Sequence, residues 1–149
     1  MQGKYLDELN AGEEYITPSR TLTETDVVMF AAMSGDYNEL HTSEEYMKGS
    51  QFGKRLVHGL LGLSVSHGLI FRLGILDGSA IAFLGMDSWQ FKAPLFFGDT
   101  IHVKLKIAEA RASKSKPDRG IVKFYLEILN QDGVVVQCGY KTIMMKRRP

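Results

Sequence analysis

The chain has 149 residues, 44% hydrophobic and 23% charged, which is enough for one domain with a real core. Its 18 basic and 17 acidic residues leave a formal net charge of +1, which removes the electrostatic case for nucleic-acid binding. The mixed, charged start Met1-Gln2-Gly3-Lys4-Tyr5-Leu6-Asp7-Glu8 does not read as a signal peptide, and the lone Cys138 excludes an internal disulfide. A cytoplasmic, reducing setting is expected.

In chain order, residues 13–21 alternate loosely and read as a strand. Thr23 then has the character of a helix N-cap, with Asp26 three residues on in a variant of the capping box. Val27, Val28, Phe30, Ala31 and Met33 give Glu24 to Ser34 a helical apolar face, and Gly35 is a natural residue just past its end. Residues 36–42 read as loop, and a short helix from Ser43 to Lys48 is stopped by Gly49. From His58 to about Leu76 the chain is apolar almost all round. Ser64, Ser66, His67 and Arg72 interrupt it, so it reads as a buried helix rather than a membrane span. Gly59, Gly62, Gly68 and Gly74 each cost a helix up to ~1 kcal/mol relative to Ala, which close packing must offset.

After Asp77-Gly78 the character changes to strand. Five β segments are expected: Ala80 to Leu84, Asp87 to Ala93, Thr100 to Ala112, Ile121 to Asn130 and Val134 to Met145. Ile101, Val103, Leu105 and Ile107 alternate with His102, Lys104 and Lys106, so this strand has one wet face. Gly98-Asp99 and Asp132-Gly133 are turn signals, the second for a hairpin. The loop from Ser113 to Gly120 joins another antiparallel pair. No repeat, low-complexity run or linker divides the chain, so one domain over 1–149 is expected. A helix apolar on most sides needs covering. An antiparallel sheet wrapped around it, the hot-dog form of the α+β class, does this most economically; an ordinary α+β sandwich is the alternative.

The chemistry concentrates in Ser34-Gly35-Asp36-Tyr37-Asn38-Glu39-Leu40-His41. A carboxylate and an imidazole five residues apart, with Asn38 between them, can hold and deprotonate a water. Backbone N–H groups at a helix start can stabilise a developing oxyanion, and His58-Gly59 opens the long apolar segment. Singly, Asp36, Asn38 and His41 each also read as turn or loop residues. Together with Phe52-Gly53-Lys54-Arg55-Leu56-Val57-His58-Gly59-Leu60-Leu61, however, this stretch resembles the MaoC-like dehydratases and (R)-specific enoyl-CoA hydratases, a hot-dog family. Their pattern is Gly-Asp-x-Asn-Pro-aliphatic-His, then an aliphatic-His-Gly opening the central helix. Phe91-Lys92-Ala93-Pro94-Leu95-Phe96-Phe97-Gly98-Asp99-Thr100 resembles the strand-turn-strand that follows. The resemblance runs from about Thr21 to Met145.

The resemblance implies reversible addition of water to a trans-2-enoyl thioester, giving an (R)-3-hydroxyacyl thioester. It assigns catalysis to Asp36 and His41 and the thioester carbonyl to the N–H of Gly59. Asn38, His58, Gly62, Ser66 and His67 are the substrate-binding candidates. No metal or redox cofactor is implied, coenzyme A arrives as part of the substrate, and a homodimer is expected. Glu39 stands where the family has Pro, which implies a less rigid loop with an extra acid. By count from His58-Gly59, the position at which relatives carry a supporting serine is His67, with Ser66 beside it. His67 also reads as a polar group satisfied within the helix layer. The side chain of His58 reads as structural, and Gly62 permits close approach of either an acyl chain or the sheet.

Other chemistries find less support. His41, His58, His67 and His102 lack zinc-site spacing, so no metal is expected. No phosphate-binding glycine loop or dinucleotide fingerprint is present. Lys54, Arg55, Lys114, Lys116 and Arg119 are candidates for coenzyme A phosphates, with ordinary surface charge the simpler reading of each. A hot-dog thioesterase would place a carboxylate on the central helix, yet Leu60 to Leu76 holds none. A non-catalytic acyl-CoA-binding protein would not need an intact Asp36–His41 pair.

Overall fold

A computed structural model describes residues 3–149. After a 3₁₀ turn at Leu6–Glu8 come β1 (Glu14–Ile16), β2 (Arg20–Thr21), α1 (Glu24–Ser34), α2 (Glu39–Thr42), α3 (Glu44–Lys48), α4 (Gly59–Phe71), β3 (Ala80–Phe91), β4 (Thr100–Ala112), β5 (Arg119–Leu129) and β6 (Val135–Lys146). Every strand pairing is antiparallel, in the order β1-β4-β5-β6-β3, with β2 also on β4. The fold is α+β with the expected hot-dog arrangement, α4 lying against the apolar face of the sheet.

The expected alternation on β4 buries Ile101, Val103, Leu105 and Ile107. Val122, Phe124, Leu126 and Ile128 of β5 continue this face, and α4 adds Leu61, Val65, Leu69 and Ile70 to the same core. Burying each such side chain is worth ~1.5–3 kcal/mol. The four from α4 therefore outweigh ~1 kcal/mol for each glycine within it.

Several boundaries differ from expectation. The segment 13–21 is two short strands rather than one. Pro18 has no N–H to donate, and at the break Thr17 Oγ1 accepts a bond from the Val103 N–H at 2.9 Å. Helix α4 stops at Phe71, not Leu76, because the chain tightens through Leu73 and Gly74, and Gly74 adopts φ +72°. The two expected segments over 80–93 are one strand, β3. Its register against β6 shifts between Asp87 and Gln90, where Ser88 has φ +51°. Opposite this irregularity Gly139 leaves room for Trp89; a Cβ there would lie 2.7 Å from the Trp89 ring.

The N-terminal helix follows its sequence signals. Thr23 and Asp26 cap each other's backbone at 2.9 and 3.3 Å, and Gly35 ends α1 at φ +78°. Residues 36–42 are not all loop. Asn38 Oδ1 accepts from the Leu40 N–H at 3.0 Å and caps the single turn α2, and Ser43 then caps α3. Glu39 therefore opens a capped helical turn rather than loosening the segment.

Candidate active site

Asp36 follows α1 at the surface, its carboxylate about half exposed. Its Oδ1 accepts a bond from the Asn38 N–H at 3.2 Å, and its Oδ2 lies 3.9 Å from His41 Nε2. His41, on α2, is largely buried. Its Nδ1–H donates to the Leu56 carbonyl at 2.7 Å, which leaves Nε2 turned towards Asp36. A separation of 3.9 Å is too long for a direct hydrogen bond and suits one water touching both groups.

His58 lies beneath His41, with the two rings stacked at a centroid distance of 3.8 Å and 28° between planes. Its Nε2–H donates to the Asp36 carbonyl at 3.0 Å, and the Phe30 ring packs 4.9 Å away. With its Nε2–H committed to Asp36 and its ring packed on His41 and Phe30, it holds a structural place, which corrects its standing among the substrate-binding candidates. It does not cap α4 through its side chain either; it ties the Asp36 loop to the start of α4. Its buried Nδ1 has no hydrogen-bond partner among the described residues.

Gly59 is the first residue of α4, so its N–H has no acceptor within the helix. Its carbonyl accepts from Gln137 Nε2 at 2.9 Å, and Gln137 Oε1 accepts from Trp89 Nε1 at 3.2 Å. The Phe91 ring covers Gly59 so closely that a Cβ would sit 2.8 Å from it. A cleft of about 430 Å³, lined by Phe52, Leu56, Phe91, Leu95 and Gln137, opens at Gly59. A second groove of about 520 Å³ lies between α1 and α4, walled by Met29, Phe30, Met33, Leu61 and Leu69.

The remaining candidates divide. Asn38 uses its side-chain oxygen to cap α2. Gly62 admits the sheet rather than a ligand: a Cβ would meet Leu95 Cδ1 at 2.5 Å and Gln137 Nε2 at 2.9 Å. Ser66 is fully buried and donates to the Leu63 carbonyl at 2.6 Å, so it too faces no ligand. His67 packs on Phe71 and Phe83, with Nδ1 3.5 Å from Lys141 Nζ. Burial, and secondarily the Lys141 charge, hold its pKa below the ordinary histidine value. Neither Ser66 nor His67 bonds to Asp36 or His41 among the described residues.

Of the basic candidates, Arg55 bridges Glu24 and Glu44, and Lys54 sits over the Phe96 ring at 4.1 Å. Lys114, Lys116 and Arg119 line a groove with Ile121 and Met144. Met144 is seven residues along β6 from Gln137, roughly 23 Å, so within one chain these groups lie far from Gly59. The histidine spacing gave no metal signature, yet Asp36, His41 and His58 bring one potential ligand atom each within 4.8 Å of one another. Two of the ring nitrogens in that group already hold backbone carbonyls.

Gln137 and Trp89 were not singled out in the sequence reading, and Phe30 and Leu56 entered it only as an apolar helix residue and as part of the family motif. Nothing local marks them: Gln137 meets Gly59 across 78 residues, through the pairing of β6 beside α4.

A MaoC like domain model matches residues 8–124. The chain belongs to the MaoC-like dehydratase family. Protein MaoC of Klebsiella aerogenes is 41% identical over 102 residues, 68% of this chain but only 30% of that protein. The (R)-specific enoyl-CoA hydratase of Rhodospirillum rubrum is 28% identical over 145 residues, covering 97% of this chain and 93% of the hydratase. Among solved structures, a monoamine oxidase regulatory protein from Archaeoglobus superposes with a TM-score of 0.91 at 32% identity, over 100% of this chain and 98% of that one. This MaoC-like chain has no helix, among the described residues, long and apolar enough to cross a membrane.

The Gln137 clamp on Gly59 is open to direct measurement. Gln137→Met keeps the bulk but leaves Trp89 Nε1 without its acceptor, which should lower stability by about 1–3 kcal/mol. Denaturant unfolding checks this, and an unchanged midpoint would show that the clamp contributes nothing.

Proposed function

We propose that the protein reversibly adds water to a trans-2-enoyl thioester, carried as an enoyl-CoA, to give the (R)-3-hydroxyacyl thioester. The observation that carries this reading is Asp36 Oδ2 facing His41 Nε2 at 3.9 Å, with the His41 tautomer set by Leu56. One water accepted by both groups is poised to attack C3. One member of the pair takes the proton it sheds, and the pair returns a proton to C2. Negative charge gathers on the thioester oxygen as C3 is attacked, and the free N–H of Gly59 at the start of α4 is placed to receive it. The carrier portion arrives and leaves with the substrate, and no step calls for a metal or redox group.

The sequence of α4, Gly-Leu-Leu-Gly-Leu-Ser-Val-Ser-His-Gly-Leu-Ile-Phe, offers no carboxylate to a thioesterase mechanism. A structural relative described as regulatory would favour a non-catalytic role, but the Asp36–His41 geometry is what a binding protein has no need to keep.

Purified protein should therefore consume crotonyl-CoA or a longer enoyl-CoA, followed at the enoyl absorbance, and excess chelator should leave the rate unchanged. Asp36→Asn and His41→Ala should each fold and lose about 10²–10⁴-fold in kcat. Two folded variants with near-full turnover on the best substrate would overturn the assignment.

A homodimer is part of the same proposal. The outer edge of β3 is unpaired among the described residues, and Ile81, Phe83, Leu84 and Phe91 along it are exposed. Leu60 and Phe71 of α4 extend this apolar surface. An open, apolar edge strand invites pairing, and a two-fold copy is the common solution. Because Phe91 lines the cleft at Gly59, the copy that covers β3 also shields the thioester from bulk water. Sedimentation at micromolar concentration should give twice the chain mass; a stable, fully active monomer would rule the dimer out.

A further inference from the structure

Lys141 is a buried cation that the proposed reaction does not use. It lies on β6, is 2% exposed, and no carboxylate among the described residues pairs with it. Its Nζ approaches His67 Nδ1 at 3.5 Å and faces the rings of Trp89 at 5.6 Å and Phe83 at 6.0 Å. A second basic group and two aromatic faces make a poor substitute for a counter-ion. An ammonium buried in this way is costly, and an apolar side chain of similar length would serve packing better.

The position of the pair is informative. Gln137 Nε2 bonds the Gly59 carbonyl at 2.9 Å, so the start of α4 and this point on β6 coincide. From Gly59 to His67 is eight residues of helix, about 12 Å. From Gln137 to Lys141 is four residues of strand, about 13 Å. The two routes agree: the pair lies one acyl-chain length from the N–H assigned to the thioester oxygen. Its outer cover is Phe83 and Phe71, both on the apolar face of β3 and α4 that meets the proposed second copy rather than in the core.

We propose that Lys141, with His67 beside it, receives a carboxylate at the far end of the acyl group, so that the substrates are enoyl thioesters carrying an anionic acyl terminus. This rests on the hydratase reading of the Asp36–His41 pair and narrows its substrate class. A rotation of Phe83 admits the carboxylate. The ligand then supplies the counter-ion the protein lacks, through charge-assisted hydrogen bonds from Lys141 and from protonated His67. The depressed pKa values of both groups, about 8 for Lys141 through burial, agree with a site that is short of negative charge when empty.

The test uses a series of trans-2-enoyl-CoA thioesters, each made with a methyl end and with a carboxylate end. It also uses the saturated counterparts, which cannot be hydrated and whose binding is read from the fluorescence of Trp89, the only tryptophan of the chain. At the best length the carboxylate-ended form should exceed its methyl-ended twin by about ten- to a hundred-fold in kcat/KM and in affinity. Lys141→Met should shrink that ratio at least tenfold, and Lys141→Arg should restore part of it. Should Lys141→Met fail to fold, the binding ratio of the unmodified protein decides. Methyl-ended forms that bind and react as well at every length would overturn the anion site while leaving the hydratase standing. Absence of any hydration, with tighter binding of carboxylate-ended thioesters, would remove the hydratase reading and support the site.

Discussion

The stack of His41 on His58 holds the candidate site together, because each ring is anchored to a different segment. His41 comes from α2 and bonds the Leu56 carbonyl; His58 stands before α4 and bonds the Asp36 carbonyl. The end of α1, the turn α2, the strand-like stretch at Leu56 and the start of α4 are thereby fixed to one another. Neither ring has alternatives: each donates one N–H to a backbone oxygen, and the face shared between them is closed to water. Charge-carrying side chains on separate segments gain their mutual geometry only from such over-determined support.

The second constraint acts from below. Gln137 reaches from β6 to the first carbonyl of α4, and Phe91 and Leu95 press on Gly59 and Gly62, where any side chain would collide. Glycine at these two positions is thus a condition for seating the helix start on the sheet. The sheet in turn is held by the β4–β5–β6 core, whose apolar rows fix the register apart from single shifts after Ile107 and after Ile128. A rigid sheet, a helix clamped at its N-terminal end and a loop tied to that end make a continuous path from packing to the N–H of Gly59.

Local patterns in the sequence carried much of this arrangement. Thr23 with Asp26, Gly35, Ser43 and the alternation of β4 each depend on neighbours within a few residues, and each forms as read. The spacing of Asp36 and His41, joined to His58-Gly59, was enough to mark the family. What escaped depended on distant partners. The turn α2 is too short for periodicity to reveal, and β3 runs through Gly85 because its extra residues are taken up as register shifts against β6, with Gly139 making room for Trp89. His58 read as a possible ligand contact because nothing in a linear pattern tells an exposed imidazole from one stacked beneath another. Gln137 and Lys141 lie in the expected segment Val134 to Met145 with nothing local to mark them; only the closing of the sheet on α4 gives them their partners.

The account stands on water being delivered by Asp36 and His41 to C3 of an enoyl thioester rather than to the thioester carbon. Turnover of an enoyl-CoA in water enriched in heavy oxygen, followed by mass spectrometry of the products, tests this most directly. The account predicts the label in the 3-hydroxyl group of an intact acyl thioester. Label in a released carboxylic acid, accompanied by free thiol and no hydroxyacyl thioester, would contradict it.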